Sequence, residues 1–174
     1  MQLIYPHFSI KTKNLCLKTL PSALDSLLFY TSLKHDKEGF KFFGGVPYTK
    51  QALRYFKGYF NFPYCFSVYR GIFFIGYIGI TEIKDDKEAV IEFYIRKKYR
   101  EKHYAYEACG ALIQYMINSF HKLEQVHAVC LKDNMPTQGL LRKLGFEYVG
   151  EQRNVLVVDG EIYNPLCVQY TLEL

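Results

Sequence analysis

The sequence predicts a mixed α/β (α+β) fold, a mostly antiparallel sheet of about seven strands flanked by about four helices. Three observations carry this. A block rich in aromatic and β-branched residues runs from Tyr64 to Ile95 and is cut by two turn signals. Two stretches of helical periodicity flank a short apolar run in the second half. Asp159-Gly160 separates two apolar segments near the end, a strong hairpin signal.

Lys13 to Leu20 reads as the first strand. Ser22 opens a helix with Asp25 at the capping-box position, and Leu24, Leu27, Leu28 and Thr31 keep helical spacing to about His35. Gly44-Gly45 and Pro47 read as a loop. Thr49 can cap a second helix, with Ala52, Phe56, Tyr59 and Phe60 on one face. Tyr64 to Tyr69, Ile72 to Ile83 and Ala89 to Ile95 form an antiparallel meander, turned at Arg70-Gly71 and at Asp85-Asp86-Lys87-Glu88. A long helix runs from Tyr104 to His121, with Ala108, Leu112, Met116 and Phe120 at steps of four. Val126 to Leu131 is a short buried strand. Pro136 marks the first residue of the last helix, after Asn134 or Met135, and Gly145 stops it after Leu144. Phe146 to Val158 and Glu161 to Leu172 complete the order β-α-α-βββ-α-β-α-ββ.

The chain has 174 residues, 49% of them hydrophobic, which suits one domain over 1–174 and excludes a disordered chain. No run approaches the ~18 apolar residues of a membrane span. The first ten residues carry no basic leader, so a cytoplasmic protein is expected. Cysteines 16, 65, 109, 130 and 167 show neither CxxC spacing nor an even count, and read as buried thiols. His7, His35, His121 and His127 have no metal-ligand spacing, so no metal is expected. The balance of 22 basic against 17 acidic residues is mild, but Arg96, Lys97, Lys98, Arg100 and Lys102 crowd five cations into seven positions. That cluster opens directly into the long helix, whose first turn has unpaired N–H groups and the positive end of the dipole. It makes a site for a polyphosphate.

Tyr99-Arg100-Glu101-Lys102-His103-Tyr104-Ala105-Tyr106-Glu107-Ala108 resembles the Y-R-G-x-G-Y-A-x-E-A loop of the GNAT superfamily of acyl-CoA N-acyltransferases, closest to its RimJ/RimL branch. Asn134 and Thr137, followed by Lys143-Leu144-Gly145-Phe146, match that family's N-x-x-S and K-L-G-F. TKNLCLKTL, GYIGIT and DGEIYNPLCVQYTLEL extend the likeness over nearly the whole chain. The resemblance implies the GNAT fold and acetyl-CoA as co-substrate. Its pyrophosphate would lie on Glu101, Lys102, His103, Tyr104 and Ala105, with Arg100 nearby. The pantetheine arm would run beside Glu92, Phe93, Tyr94 and Ile95, with a backbone N–H near Ile95 holding the acetyl oxygen. Asn134 would touch the arm and Lys143 approach the phosphates. An amine would attack the thioester directly, which asks for positioning, an oxyanion donor and a route for protons.

Two departures matter. Both loop glycines are replaced, by Glu101 and His103, which weakens or alters CoA binding in this reading. The tyrosine that many members place seven residues after the asparagine is Leu141 here, so Thr137 becomes the candidate acid; the other reading is a hydroxyl bonded to local backbone. Glu92 stands where the branch usually has glycine. It is the candidate base or an orienter of a cationic amine, against an exposed strand glutamate paired with a lysine. Asp133 is either a cleft or a turn residue. The acceptor stays open among a protein N-terminus, a ribosomal protein, an aminoglycoside-like amine and a polyamine. The assembly is a monomer or a homodimer. Two other readings stand behind an active enzyme: a catalytically weak CoA- or partner-binding protein of this fold, and a nucleic-acid module using residues 96–102.

Overall fold

The computed structural model of the chain describes residues 8–19, 22–44, 48–50, 64–158 and 160–174. Ten strands and four α-helices are present among these residues. They are β1 (Ser9–Lys11), β2 (Cys16–Thr19), α1 (Ala23–Lys34), α2 (Lys37–Gly44), β3 (Tyr64–Arg70), β4 (Phe73–Lys84), β5 (Glu88–Ile95), α3 (Tyr104–Ser119), β6 (Gln125–Leu131), α4 (Met135–Lys143), β7 (Glu147–Arg153), β8 (Leu156–Val158), β9 (Glu161–Tyr163) and β10 (Leu166–Glu173). Eight strands form one sheet in the order β1-β2-β3-β4-β5-β6-β10-β7. Every neighbour is antiparallel except β5 and β6. That pair is joined by the crossover helix α3, as a parallel connection requires.

Two cores cover the two sheet faces. Ala108, Leu112 and Met116 of α3 pack with Ile78, Ile91, Val126 and Leu141, which bears out the four-residue stripe. Phe29 and Leu33 of α1 and Phe40 of α2 pack with Phe74 and Tyr94 on the other face.

The sequence reading is corrected in five places. The first strand is a hairpin of β1 and β2, because Thr12 closes a turn over Lys13-Asn14: its Oγ1 accepts from the Leu15 amide at 2.9 Å. The inward stripe of α1 is Asp25, Phe29 and Leu33, whereas Leu24 and Leu27 are exposed. Helix α2 has no counterpart in the sequence reading, which puts Gly44 in a loop, because Gly39 and Gly44 mask its Phe40/Phe43 spacing. Pro136 is the second residue of α4, after the N-cap Asn134 and Met135. The closing hairpin is broken at Asn154 and at Asn164-Pro165, where proline has no N–H to donate; its tip, β8 and β9, is a separate two-stranded sheet. The helix expected over Ala52 to Phe60 lies outside the described residues.

Candidate active site

Strands β5 and β6 pair at only three positions: Glu88↔Gln125, Ala89↔Val126 and Val90↔His127. β5 continues to Ile95 and β6 to Leu131, with no ladder between those stretches. Among the described residues the sheet therefore opens there as a wedge between β5 and β6. His127 sits at the vertex, its Nδ1 2.8 Å from Thr171 Oγ1 and its Nε2 3.5 Å from Glu88.

From the wide end of the wedge, β5 passes through a 3₁₀ turn at Lys97–Tyr99 into α3. Glu101 and His103 have φ of 61° and 60°. These are the two positions where the resembling loop has glycine, and the left-handed backbone is kept without it. Each costs roughly 1–2 kcal/mol for a residue with a Cβ. His103 is the N-cap of α3 and its side chain caps nothing. The first amides of the helix are thus left for an external acceptor. Tyr104 is buried and anchors the helix start in the core. Lys98 and Lys102 lie 4.9 and 5.9 Å from the Tyr99 ring centre, and Arg70 lies 5.6 Å from that of Tyr104. Arg70 adds a cation that the reading of residues 96–102 missed, because it arrives from β3.

Arg100 behaves differently from the expectation. Its Nε donates to the Ile95 carbonyl at 2.9 Å and its Nη2 pairs with Asp36. The guanidinium is anchored within the protein, and only its remaining donors could face a phosphate. Asp36 is buried and also accepts from the Gly39 amide and the Tyr94 hydroxyl, both at 3.0 Å. Burial, with the Asp36 charge second, pushes the Tyr94 phenol up, so it stays a donor. Sequence reasoning missed Asp36; an aspartate three residues before Gly39 at a helix start was the available signal.

Glu92 and Tyr94 face the α1/α2 side, while Ile91 and Phe93 face α3, as strand alternation requires. Glu92 is half-buried and accepts from Tyr77 Oη at 3.1 Å. It is not the exposed glutamate of the alternative reading. Its cross-strand partner is Gly79, where a Cβ would come within 2.6 Å of the Tyr77 hydroxyl. Phe29, Phe43, Tyr77 and Tyr94 stack edge-on or tilted nearby, with Phe29 and Tyr94 centroids 5.5 Å apart. Cys65 is on this face too; burial first, then the Glu92 charge, pushes its thiol up, so it is no nucleophile at neutral pH.

On the β6 side, the wedge ends at α4. Asn134 is buried and its Oδ1 accepts from the Thr137 amide at 3.3 Å. Among the described residues the Thr137 amide is bonded locally and its hydroxyl makes no local backbone bond. Leu141 lies fully in the core. Lys143 is exposed at the far end of α4, about 12 Å along the axis from Met135 at 1.5 Å per residue. Asp133 binds Lys41 of α2 at 2.5 Å, linking the two sides of the wedge mouth. Among the described residues no cluster of His, Cys, Asp or Glu could hold a metal, and no helix is long and apolar enough to cross a membrane.

The site is thus a wedge between two parallel strands of an otherwise antiparallel sheet, opening on a helix start with no side-chain cap. The family model described as "Acetyltransferase (GNAT) domain" matches residues 14–147, and the chain belongs to that family of acetyltransferases. Solved structures share the fold. A GNAT-family acetyltransferase from Bacillus anthracis superposes with a TM-score of 0.76 at 20% identity, over 95% of this chain and 98% of that one. A GCN5-related N-acetyltransferase from Brucella melitensis gives 0.76 at 16% identity, over 99% and 84%. RimL, a ribosomal L7/L12 alpha-N-protein acetyltransferase in complex with coenzyme A, gives 0.75 at 12% identity, over 96% and 98%. No curated protein matches the chain.

Proposed function

We propose that residues 1–174 form one acetyltransferase domain that moves an acetyl group from acetyl-CoA to a primary amine, by direct attack in a ternary complex. The observation that carries this is the wedge running into an α3 N-terminus left open by its own side chains. The amides of Glu101 to Ala105 bind the pyrophosphate, with Lys102 and the spare donors of Arg100 beside them. The edge of Glu92 to Ile95 lines the pantetheine arm, and a backbone N–H near Ile95 faces the carbonyl oxygen as negative charge grows on it. The Asn134 amide group meets the arm from the other strand. Glu92 takes a proton from the bound ammonium, or fixes its position; the free amine then forms the N–C bond, the C–S bond breaks, and Thr137 gives a proton to the leaving sulfur. A protein N-terminus and a small amine both suit this arrangement, and RimL's activity supports the former. Cys65, Cys109, Cys130 and Cys167 are buried free thiols, whereas Cys16, expected to be buried too, is only partly covered; free thiols suit a reducing compartment such as the cytosol.

The test is calorimetric titration of acetyl-CoA and CoA, followed by a free-thiol assay on an amine panel. Binding near one per chain is expected. Glu92→Gln should lose about 100-fold in turnover while its acetyl-CoA affinity stays unchanged. No binding up to millimolar ligand overturns the reading, and near-normal turnover removes Glu92 from the mechanism. A catalytically weak CoA-binding protein is the second reading, favoured by the buried Leu141 and the absence of both loop glycines. It predicts binding without thiol release.

A further inference from the structure

The loop before α3 keeps two side chains in a backbone region that favours glycine. Such conformations persist only where the surroundings over-determine them. The residue just before the first of them is Arg100, and the residue just after the second is the buried Tyr104. Tyr104 is held by the core. Arg100 is held by two groups: the Ile95 carbonyl at the end of β5 and the Asp36 carboxylate at the start of α2. Its guanidinium also lies 5.5 Å from the Tyr94 ring centre, and the Tyr94 hydroxyl donates to the same Asp36 oxygen.

The neighbourhood is built around this pair. Asp36 is 5% exposed, and its other oxygen accepts from the Gly39 amide at 3.0 Å, so the carboxylate cannot swing away without uncapping α2. Gly39 lies inside α2, where glycine is a poor helix former. A Cβ at Gly39 would fall on Asp36 Oδ2 and Arg100 Nη2. The glycine missing from the loop has a counterpart in the helix that grips it.

We propose that Asp36 is a positioning residue for the cofactor loop: it fixes Arg100, and through Arg100 it holds Glu101 and His103 in the left-handed shape that presents the first amides of α3. A loop with two glycines reaches that shape freely. This chain reaches it by a clamp more than sixty residues away in sequence. The consequence for acetyl-CoA affinity rests on the proposed function; the consequence for the ligand-free loop does not.

The test compares Asp36→Asn in two backgrounds, the natural chain and the Glu101→Gly/His103→Gly variant. Asparagine keeps the cap of α2, because it caps helices as well as aspartate does. In the natural chain without ligand, the backbone order parameters of Glu101 and His103 should fall from about 0.85 to below about 0.6 on Asp36→Asn. Acetyl-CoA affinity should fall about tenfold in the natural chain and less than about threefold in the glycine background. A carboxylate that only stabilises the fold would cost the same in both. Equal losses in the two backgrounds, or unchanged order parameters, overturn the proposal. If Asp36→Asn does not fold, Arg100→Lys replaces it, since a lysine cannot donate to Asp36 and Ile95 in the same geometry. If the natural chain binds no acetyl-CoA, the proposed function fails, and the order parameters still decide the role of Asp36.

Discussion

Helices α1 and α3 begin in opposite ways. At α1, Ser22 Oγ accepts from the Asp25 amide at 3.1 Å and Asp25 Oδ2 accepts from the Ser22 amide at 2.9 Å. Asp25 is buried and accepts as well from Ser67 Oγ at 2.9 Å and from the Tyr69 hydroxyl. The Ser22 and Asp25 amides at that helix start are both bound by side chains. At α3 the N-cap residue bonds nothing with its side chain, and its backbone is left-handed. Both helices begin with the same orphan amides. Closing them fastens α1 to the sheet; leaving them open gives up that fastening and keeps a place for an anion. The α4 start lies between, capped by Asn134 through a 3.3 Å bond.

The contrast makes four predictions. The largest effect belongs to Asp25→Ala, which strands the Ser67 and Tyr69 hydroxyls and the Ser22 amide. It should cost about 3 kcal/mol in urea denaturation and leave acetyl-CoA affinity unchanged. Next is His103→Asp, which supplies α3 with the cap it lacks and places a negative charge there. Acetyl-CoA should bind about tenfold more weakly, roughly 1.4 kcal/mol by calorimetry, while stability is kept; unchanged or tighter binding would dissolve the contrast. Ser22→Ala removes half of the capping box and should cost about 1 kcal/mol of stability with no change in affinity. The smallest effect is on pH dependence. Burial works to raise the Glu107 carboxyl, but hydrogen bonds from Thr12 and Asn14, with Lys13 nearby, outweigh it and hold it below its ordinary value of 4.5. A depressed carboxyl gives stability that is complete above 4.5 and lost as pH falls through the folded value. An acid titration of thermal stability should therefore fall more steeply for the natural chain than for Glu107→Gln.

Local signals were legible wherever the chain's own neighbours decide the structure. The Ser22/Asp25 box, the meander turns and the α3 stripe each depend on residues within a few positions, and each stands as read. The inward face of α1 was misread because burial there follows a polar anchor. Asp25 reaches Ser67 and Tyr69 more than forty residues away, and Leu24 and Leu27 are left outside. Arg100 was visible as a cation near a phosphate loop, but its partner lies sixty-four residues earlier. Periodicity carries no information about such a pair. The positive φ values of Glu101 and His103 could not be read from residue types that favour φ below zero; only the likeness to a glycine-bearing loop pointed to them.

The last strand, β10, lies inside the sheet, paired to β6 on one side and to β7 on the other. During synthesis, β6 and β7 both emerge before the strand that joins them. Until Leu166–Glu173 arrives, β6 touches the rest of the sheet through three residue pairs alone and β7 has no place in it. The nascent chain therefore carries an open edge of Val126, Ala128 and Cys130 next to a finished meander, the kind of edge that templates pairing with another chain. Closure of the sheet waits for Leu166–Glu173, so a premature stop within β10 removes the seam of the molecule.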